Sequence, residues 1–255
     1  MFHKAQGVSN SIYPFIMGLW VTSLFLSFVV FKKSGLFVKK LNKIFFFIFV
    51  LLVWMKDVIL EGFSGYHNMG VDHGFKIGFL IFILTEVMFF FSIFWVFLDK
   101  MCIGNYFWWP VEFELLDYFG LPFFGTLLLL SSGLFSTWSH NCLIKNCSVV
   151  SSLLMTIFLG LLFLFVQLYE YKHLFFDISD GWSGSIFFFM TGFHGFHVLL
   201  GLILLTLSLI RFGGHYMTGS KYFFEGSVIY WHFVDVVWLL LYLMLYLYVS
   251  DWSMF

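Results

Sequence analysis

Seven stretches of this chain are long and nearly free of charge, and no other feature restricts its folding more. A bilayer core of about 30 Å needs roughly 20 apolar residues of helix. Runs of that order occupy Tyr13 to Phe31, Ile77 to Leu98, Leu121 to Trp138, Val149 to Tyr169, Trp182 to Ile210 and Gly226 to Ser250. The remaining one, second in chain order, is short: Ile44 to Met55 reaches span length only by continuing through Lys56 and Asp57 to Leu60. None alternates with period two and the long runs exceed strand length, so a helical bundle is expected instead of an outer-membrane barrel. There is no internal repeat, and no interval between runs could house a soluble domain. The expected fold is therefore all-α and polytopic, one membrane domain over residues 1–255. Helices 1–2 fall at about 13–60 and helices 3–7 at about 74–250.

Charged residues make up 11% of the chain, against roughly a quarter in soluble domains, which excludes an ordinary soluble enzyme. Thirteen basic and fourteen acidic residues leave no basic excess for nucleic acid. Forty phenylalanines stand beside three prolines, two glutamines and a single alanine, Ala5. Alanine, proline and glutamine codons all need cytosine, so we read a cytosine-poor coding strand of the organellar kind; cytosine-rich third codon positions would refute this. Cys102, Cys142 and Cys147 form no CxxC pair and read as bystanders. The first apolar run is longer than a signal core and lacks a small-x-small cleavage site, so it reads as a retained span. The longest connection, Asp99 to Gly120, carries Trp108, Trp109 and Pro110 and suits the membrane interface. Basic residues divide six to seven between the two sides of a seven-span topology and do not decide orientation.

An ionisable group inside hydrocarbon is expensive and is by default a functional candidate. Glu86 falls mid-run in Thr85-Glu86-Val87. A charged carboxylate there needs a partner, a protonated one only a hydrogen bond, and proton handling and helix bonding stay equally open. His194 and His197 lie three apart among Gly192, Gly195 and Gly201, where close helix approach lets imidazoles bond across the contact. His232 and Asp235 repeat the spacing, and Asp235 is expected to accept a hydrogen bond from an imidazole. With His140 these histidines number four on three runs but give no second spaced pair, so hydrogen bonding is preferred to haem or metal ligation. Trp54, Lys56, Asp57, Glu61, Tyr66, His67, His73 and Lys76 gather at one boundary, either as a solvated loop with anchors or as a lipid headgroup site. Two other classes remain in view, an ion or solute transporter relaying through Glu86 and Asp235 and a cytochrome b-like electron carrier. The first wants inverted repeats or broken helices, the second histidine pairs on two facing helices, and neither pattern is present.

Several of these residues fall in blocks that resemble cytochrome c oxidase subunit III. They are Thr191-Gly192-Phe193-His194-Gly195-Phe196-His197-Val198, Tyr230-Trp231-His232-Phe233-Val234-Asp235-Val236-Val237-Trp238, Thr85-Glu86-Val87 with Phe94-Trp95, and Lys56-Asp57-Val58 with Glu61. Gln167, Glu170-Tyr171 and Ile178-Ser179-Asp180-Gly181 extend the likeness, which runs roughly from Trp54 to Tyr248. The resemblance implies a seven-helix subunit of respiratory complex IV in the mitochondrial inner membrane, its N-terminus in the matrix. It implies two helices against five around a lipid-filled cleft. It further implies no catalytic residue, haem or copper on this chain, the redox centres belonging to partner subunits I and II of a proton-translocating oxidoreductase. Accessory subunits, structural phospholipids and a respiratory supercomplex are the other implied partners.

By position, Trp54, Glu61, His67 and Arg211 match lipid-headgroup residues, and Glu86 the intramembrane carboxyl. Arg211 is the chain's one arginine, and a guanidinium at a run's end suits bidentate phosphate binding or a snorkelling anchor. The chain departs from the family pattern at Lys56-Asp57, where Arg-Asp is usual, and at Tyr66-His67, where paired histidines are usual. The loop holding Trp108-Trp109-Pro110 replaces a proline-rich turn, and the first run with Lys32 to Lys43 matches no family motif.

Overall fold

The computed structural model describes residues 11–34, 38–64, 69–103, 117–213 and 222–248, and all regular structure among them is helical. In chain order the helices are α1 (Tyr13–Ser34), α2 (Val38–Phe63), α3 (Met69–Ile103), α4 (Leu121–Ile144), α5 (Val150–His173), α6 (Gly181–Gly213) and α7 (Tyr222–Leu241). The last continues without interruption into a π-helical segment, Tyr242–Leu247. Five segments are long and apolar enough to cross a membrane: Met69–Met101, Leu121–Ile144, Val150–His173, Gly181–Phe212 and Tyr222–Leu247. The protein is thus an all-α, multi-pass membrane protein.

Several helices outrun the apolar stretches that announce them. The apolar run of α3 begins at Ile77, yet the helix starts at Met69 and spans 35 residues, roughly 50 Å at 1.5 Å per residue. α2 begins at Val38 and takes in Lys39, Lys40 and Lys43, which composition alone assigns to a loop. Charged residues end hydrophobicity but not helicity, since lysine is among the better helix formers.

The chain divides into two compact units, Met1–Gly74 and Phe75–Phe255. In the first, α1 lies against α2, with Met17 and Val50 buried and the Trp20 ring 4.4 Å from that of Phe46. Pro14 sits in the first turn of α1, where a missing N–H has no helical partner to forfeit. Thr22 and Ser23 turn their hydroxyls back onto Leu19 O and Trp20 O at 2.8 and 2.9 Å, so that neither exposes a bare donor to hydrocarbon.

The second unit is organised around Trp231 of α7, which is fully buried. Two glycines make room for its indole. A Cβ at Gly160 on α5 would stand 2.6 Å from Trp231 Cη2, and one at Gly201 on α6 would stand 2.8 Å from Trp231 Cε3. The third neighbour is α4, whose Ser132 Oγ accepts the indole N–H at 2.9 Å. Small residues at Gly125, Ser132, Gly133, Ser136 and Ser139 form the buried face of α4, the composition that lets membrane helices approach closely when lipid supplies no hydrophobic push. The buried serines donate to carbonyls three residues back, Ser132 to Leu129 O at 2.6 Å and Ser139 to Ser136 O at 2.6 Å.

α4 and α5 are joined by a short turn whose geometry follows from Asn146. This residue has φ +55°, the left-handed conformation that asparagine tolerates better than most. Cys147 N then reaches back to Cys142 O at 2.8 Å and Asn146 N to Leu143 O at 3.5 Å, the paired bonds of a Schellman helix end. Cys142 and Cys147 are both free thiols. Between α5 and α6 the Ile178-Ser179-Asp180-Gly181 block is a turn: Asp180 Oδ2 accepts Asp177 N–H at 2.6 Å, and Gly181 takes φ +66°.

Candidate functional site

Glu86 on α3 and His197 on α6 meet inside the second unit, with Glu86 Oε2 2.9 Å from His197 Nε2. The other ring nitrogen, Nδ1, lies 2.8 Å from Phe193 O one turn earlier on α6. A carbonyl only accepts, so Nδ1 carries its proton toward Phe193 and Nε2 is left to the carboxyl. One proton then stands between Nε2 and Oε2. The pair is either a neutral acid donating to imidazole or an imidazolium donating to carboxylate. The rings of Phe193, Phe90 and Tyr230 stand 4.5, 5.0 and 6.4 Å from the imidazole and leave the His197 side chain only 4% exposed, against 24% for Glu86. Both residues stand out in the sequence as ionisable groups within apolar runs, but 111 positions separate them and no local pattern joins α3 to α6.

His194 turns elsewhere. Three residues advance a helix by about 300°, roughly 60° short of a full turn, so His194 faces α5 and α7 while His197 faces α3. Its ring lies 5.1 Å from Trp238 and edge-on to Phe163 at 5.7 Å, and neither nitrogen has a hydrogen-bond partner among the described residues. It serves there as a third aromatic ring between α5, α6 and α7.

Along α4 and α7 lies a serine, a histidine and an aspartate in the order of a nucleophilic triad. Ser136 Oγ is 3.2 Å from His232 Nε2, and His232 Nδ1 is 3.9 Å from Asp235 Oδ2. The geometry argues for packing instead of catalysis. Ser136 is fully buried and spends its hydrogen on Gly133 O at 2.8 Å, so it accepts from His232 Nε2–H and has no proton to hand over. The 3.9 Å gap is also too long for a hydrogen bond. The expected imidazole-to-Asp235 bond is therefore not formed, since the imidazole donates across to α4 instead of along α7. Asp235 fits because α4 presents Gly133, where a Cβ would come within 2.7 Å of Oδ2.

Trp54 and Glu61 belong to the first unit, both half-buried on α2. His67 lies outside the described residues. Arg211 belongs to the second unit, in the last turn of α6. Its guanidinium carbon stands 5.1 Å over the Phe223 ring, and its buried Nε has no hydrogen-bond partner among the described residues. At the same end of that unit Lys76 and Glu225 are 3.9 Å apart; both are exposed enough for the pair to contribute little.

One polar group was named in the sequence only as part of a motif. The fifth apolar run stops at Tyr169, but α5 continues to His173 and buries Glu170. Tyr246 of the π-helical segment donates to Glu170 Oε1 at 2.8 Å, and Tyr171 donates to Thr191 Oγ1 at 2.7 Å. The visible signal was the Gln167 and Glu170 spacing, three apart on a helix that extends past its apolar stretch. Among the described residues no three His, Cys, Asp or Glu side chains gather closely enough to hold a metal ion.

A family model described as cytochrome c oxidase subunit III matches residues 3–250. Relatives named cytochrome c oxidase subunit 3 include one from Chondrus crispus, 39% identical over 96% of this chain and 93% of its own length. The counterpart from Rhipicephalus sanguineus is 39% identical over 96% of this chain and 99% of its own. That from Arabidopsis thaliana is 42% identical over 79% of each.

Proposed function

This chain belongs to the cytochrome c oxidase subunit III family, and on that premise we propose that it is a redox-inert scaffold of the oxidase. As a subunit of that complex it assembles with other subunits. Our reading is that it stabilises the catalytic subunit I beside subunit II, retains phospholipid and sustains proton uptake while the partners pass electrons from cytochrome c to oxygen. Its setting is the mitochondrial inner membrane, its 255 residues acting as one membrane domain. Haem and copper reside in the partner subunits, while accessory subunits and a respiratory supercomplex complete its surroundings.

The observation that carries the lipid reading is Arg211. A guanidinium with one buried, unsatisfied Nε at a helix end offers charge-assisted bonds at headgroup depth, and a phosphate fits that demand. Trp54, Glu61 and His67 are proposed to share in headgroup retention. Glu86 is proposed as the carboxyl that couples α3 to α6 in support of proton uptake.

Replacing Glu61, His67 and Arg211 together is expected to weaken retention of tightly held phospholipid by about 10- to 100-fold. That is the loss of charge-assisted bonds worth about 1.5–3 kcal/mol. Phosphorus analysis of the purified complex measures it, and unchanged phospholipid would refute the assignment. A second expectation concerns the redox reading: the chain stripped from its partners should carry no stoichiometric haem. A Soret band at one haem per chain would favour the cytochrome b-like alternative.

A further inference from the structure

At the end of the second unit opposite Arg211, the start of α4 and the end of α5 border an open-mouthed cavity of about 170 Å³. The separation is large, because α6 runs thirty residues from Gly181 beside this end to Arg211, roughly 45 Å. Pro122, Phe175 and Phe176 supply apolar wall, while Asp117, Glu170 and His173 supply polar wall.

The Glu170 carboxyl sets the chemistry. It is 6% exposed, and its Oε1 is fixed by the Tyr246 hydroxyl. Its Oε2 has no hydrogen-bond partner among the described residues and is left to the cavity that the residue lines. That Tyr246 comes from a π-helical segment is in keeping with such segments occurring at functional sites. Asp117 adds a second carboxyl on the rim. Among the described residues no three His, Cys, Asp or Glu side chains gather closely enough here for a metal ion. Two acceptors beside phenyl faces suit an organic cation that brings its own N–H donors.

We infer that this cavity seats the primary ammonium group of an aminophospholipid of the ethanolamine class. The site lies at helix ends, at headgroup depth. Phe123 and Phe124 on the adjoining turn of α4 are exposed, as is Phe175 on the rim, so apolar surface for an acyl chain begins where the polar cavity ends. A quaternary choline head has no N–H for Glu170 Oε2, and a glycerol head has no cation. The site is independent of the one proposed around Arg211.

The test uses the intact oxidase complex in nanodiscs, exchanged against deuterated dioleoyl phosphatidylethanolamine, phosphatidylcholine or phosphatidylglycerol and read by native mass spectrometry. Wild type should retain one more phosphatidylethanolamine than either competitor. Glu170→Gln and Asp117→Asn should each reduce that retention roughly tenfold and leave phosphatidylglycerol unchanged. Asp117 is exposed, so Asp117→Asn reports on the cavity even where Glu170→Gln disturbs Tyr246. Equal retention of the three lipids, or unchanged retention in Asp117→Asn, overturns the inference. So does carbodiimide coupling of Glu170 to a lysine of a neighbouring subunit in place of the lipid amine.

Discussion

Replacing Trp231 with alanine is expected to cost the second unit about 3–5 kcal/mol. In a bilayer this cannot be explained by water, because lipid tails are as apolar as the protein interior and burial of the indole gains little transfer energy. What the indole provides is contact. It fills the space left by Gly160 on one side and Gly201 on the other, and its N–H is bonded to Ser132. Truncation empties a slot that three helices were shaped to border, and acyl chains cannot reach it because the residue is fully buried. Dispersion lost at a cavity wall is not recovered unless the helices close, which the Leu202, Val198 and Trp238 side chains packed in the same core resist. Titration with sodium dodecyl sulfate, following the helical signal of the purified complex, should show the midpoint fall steeply. Subunit retention after detergent purification should fall with it. Trp231→Phe should cost less, since it keeps a ring in the slot and removes the indole donor together with its need for Ser132. A loss below about 1 kcal/mol for the alanine variant would mean that the glycines reflect close helix approach alone and not a slot for this ring.

The membrane bundle is legible in the sequence because the bilayer demands one property over a fixed length, and six of seven helices declare themselves through it. Where that demand stops, legibility stops. α2 runs through Lys39, Lys40 and Lys43, α3 starts eight residues before its apolar run, and α5 carries Glu170 past the point where hydropathy ends. These boundaries are set by backbone bonds and caps, to which composition is blind. Among the polar residues, Glu86, His197, His232 and Asp235 were visible as expensive groups, but their partners were not. His232 lies three positions from Asp235 and still bonds Ser136, 96 positions away. Spacing along one helix gives candidates for a shared face. Which neighbour reaches that face depends on packing that only the assembled helices display.

Glu86→Ala removes the one group bonded to His197 Nε2 and leaves that nitrogen enclosed by Phe193, Phe90 and Tyr230, out of reach of water. The expected cost is about 1–3 kcal/mol, the desolvation penalty of an orphaned polar group. It exceeds the ~0.6 kcal/mol typical of membrane hydrogen bonds because His197 has no local alternative, Nδ1 being already committed to Phe193 O. Glu86→Gln tells the two forms of the pair apart. If the proton rests on the acid, the glutamine amide donates to Nε2 in its place and stability stays within about 1 kcal/mol of wild type. If the pair is imidazolium and carboxylate, the amide loses the ionic part of the bond and the variant falls toward the alanine value. We expect the first outcome, because among the described residues no lysine or arginine pairs with Glu86. Separating two charges from water at this depth would have to be repaid by their mutual attraction alone. Exchanging both residues, Glu86→Leu with His197→Phe, should recover most of the loss, since neither partner is then orphaned. Unfolding midpoints for the four members of that cycle measure the coupling directly. Additive losses would show that the 2.9 Å contact holds no energy of its own.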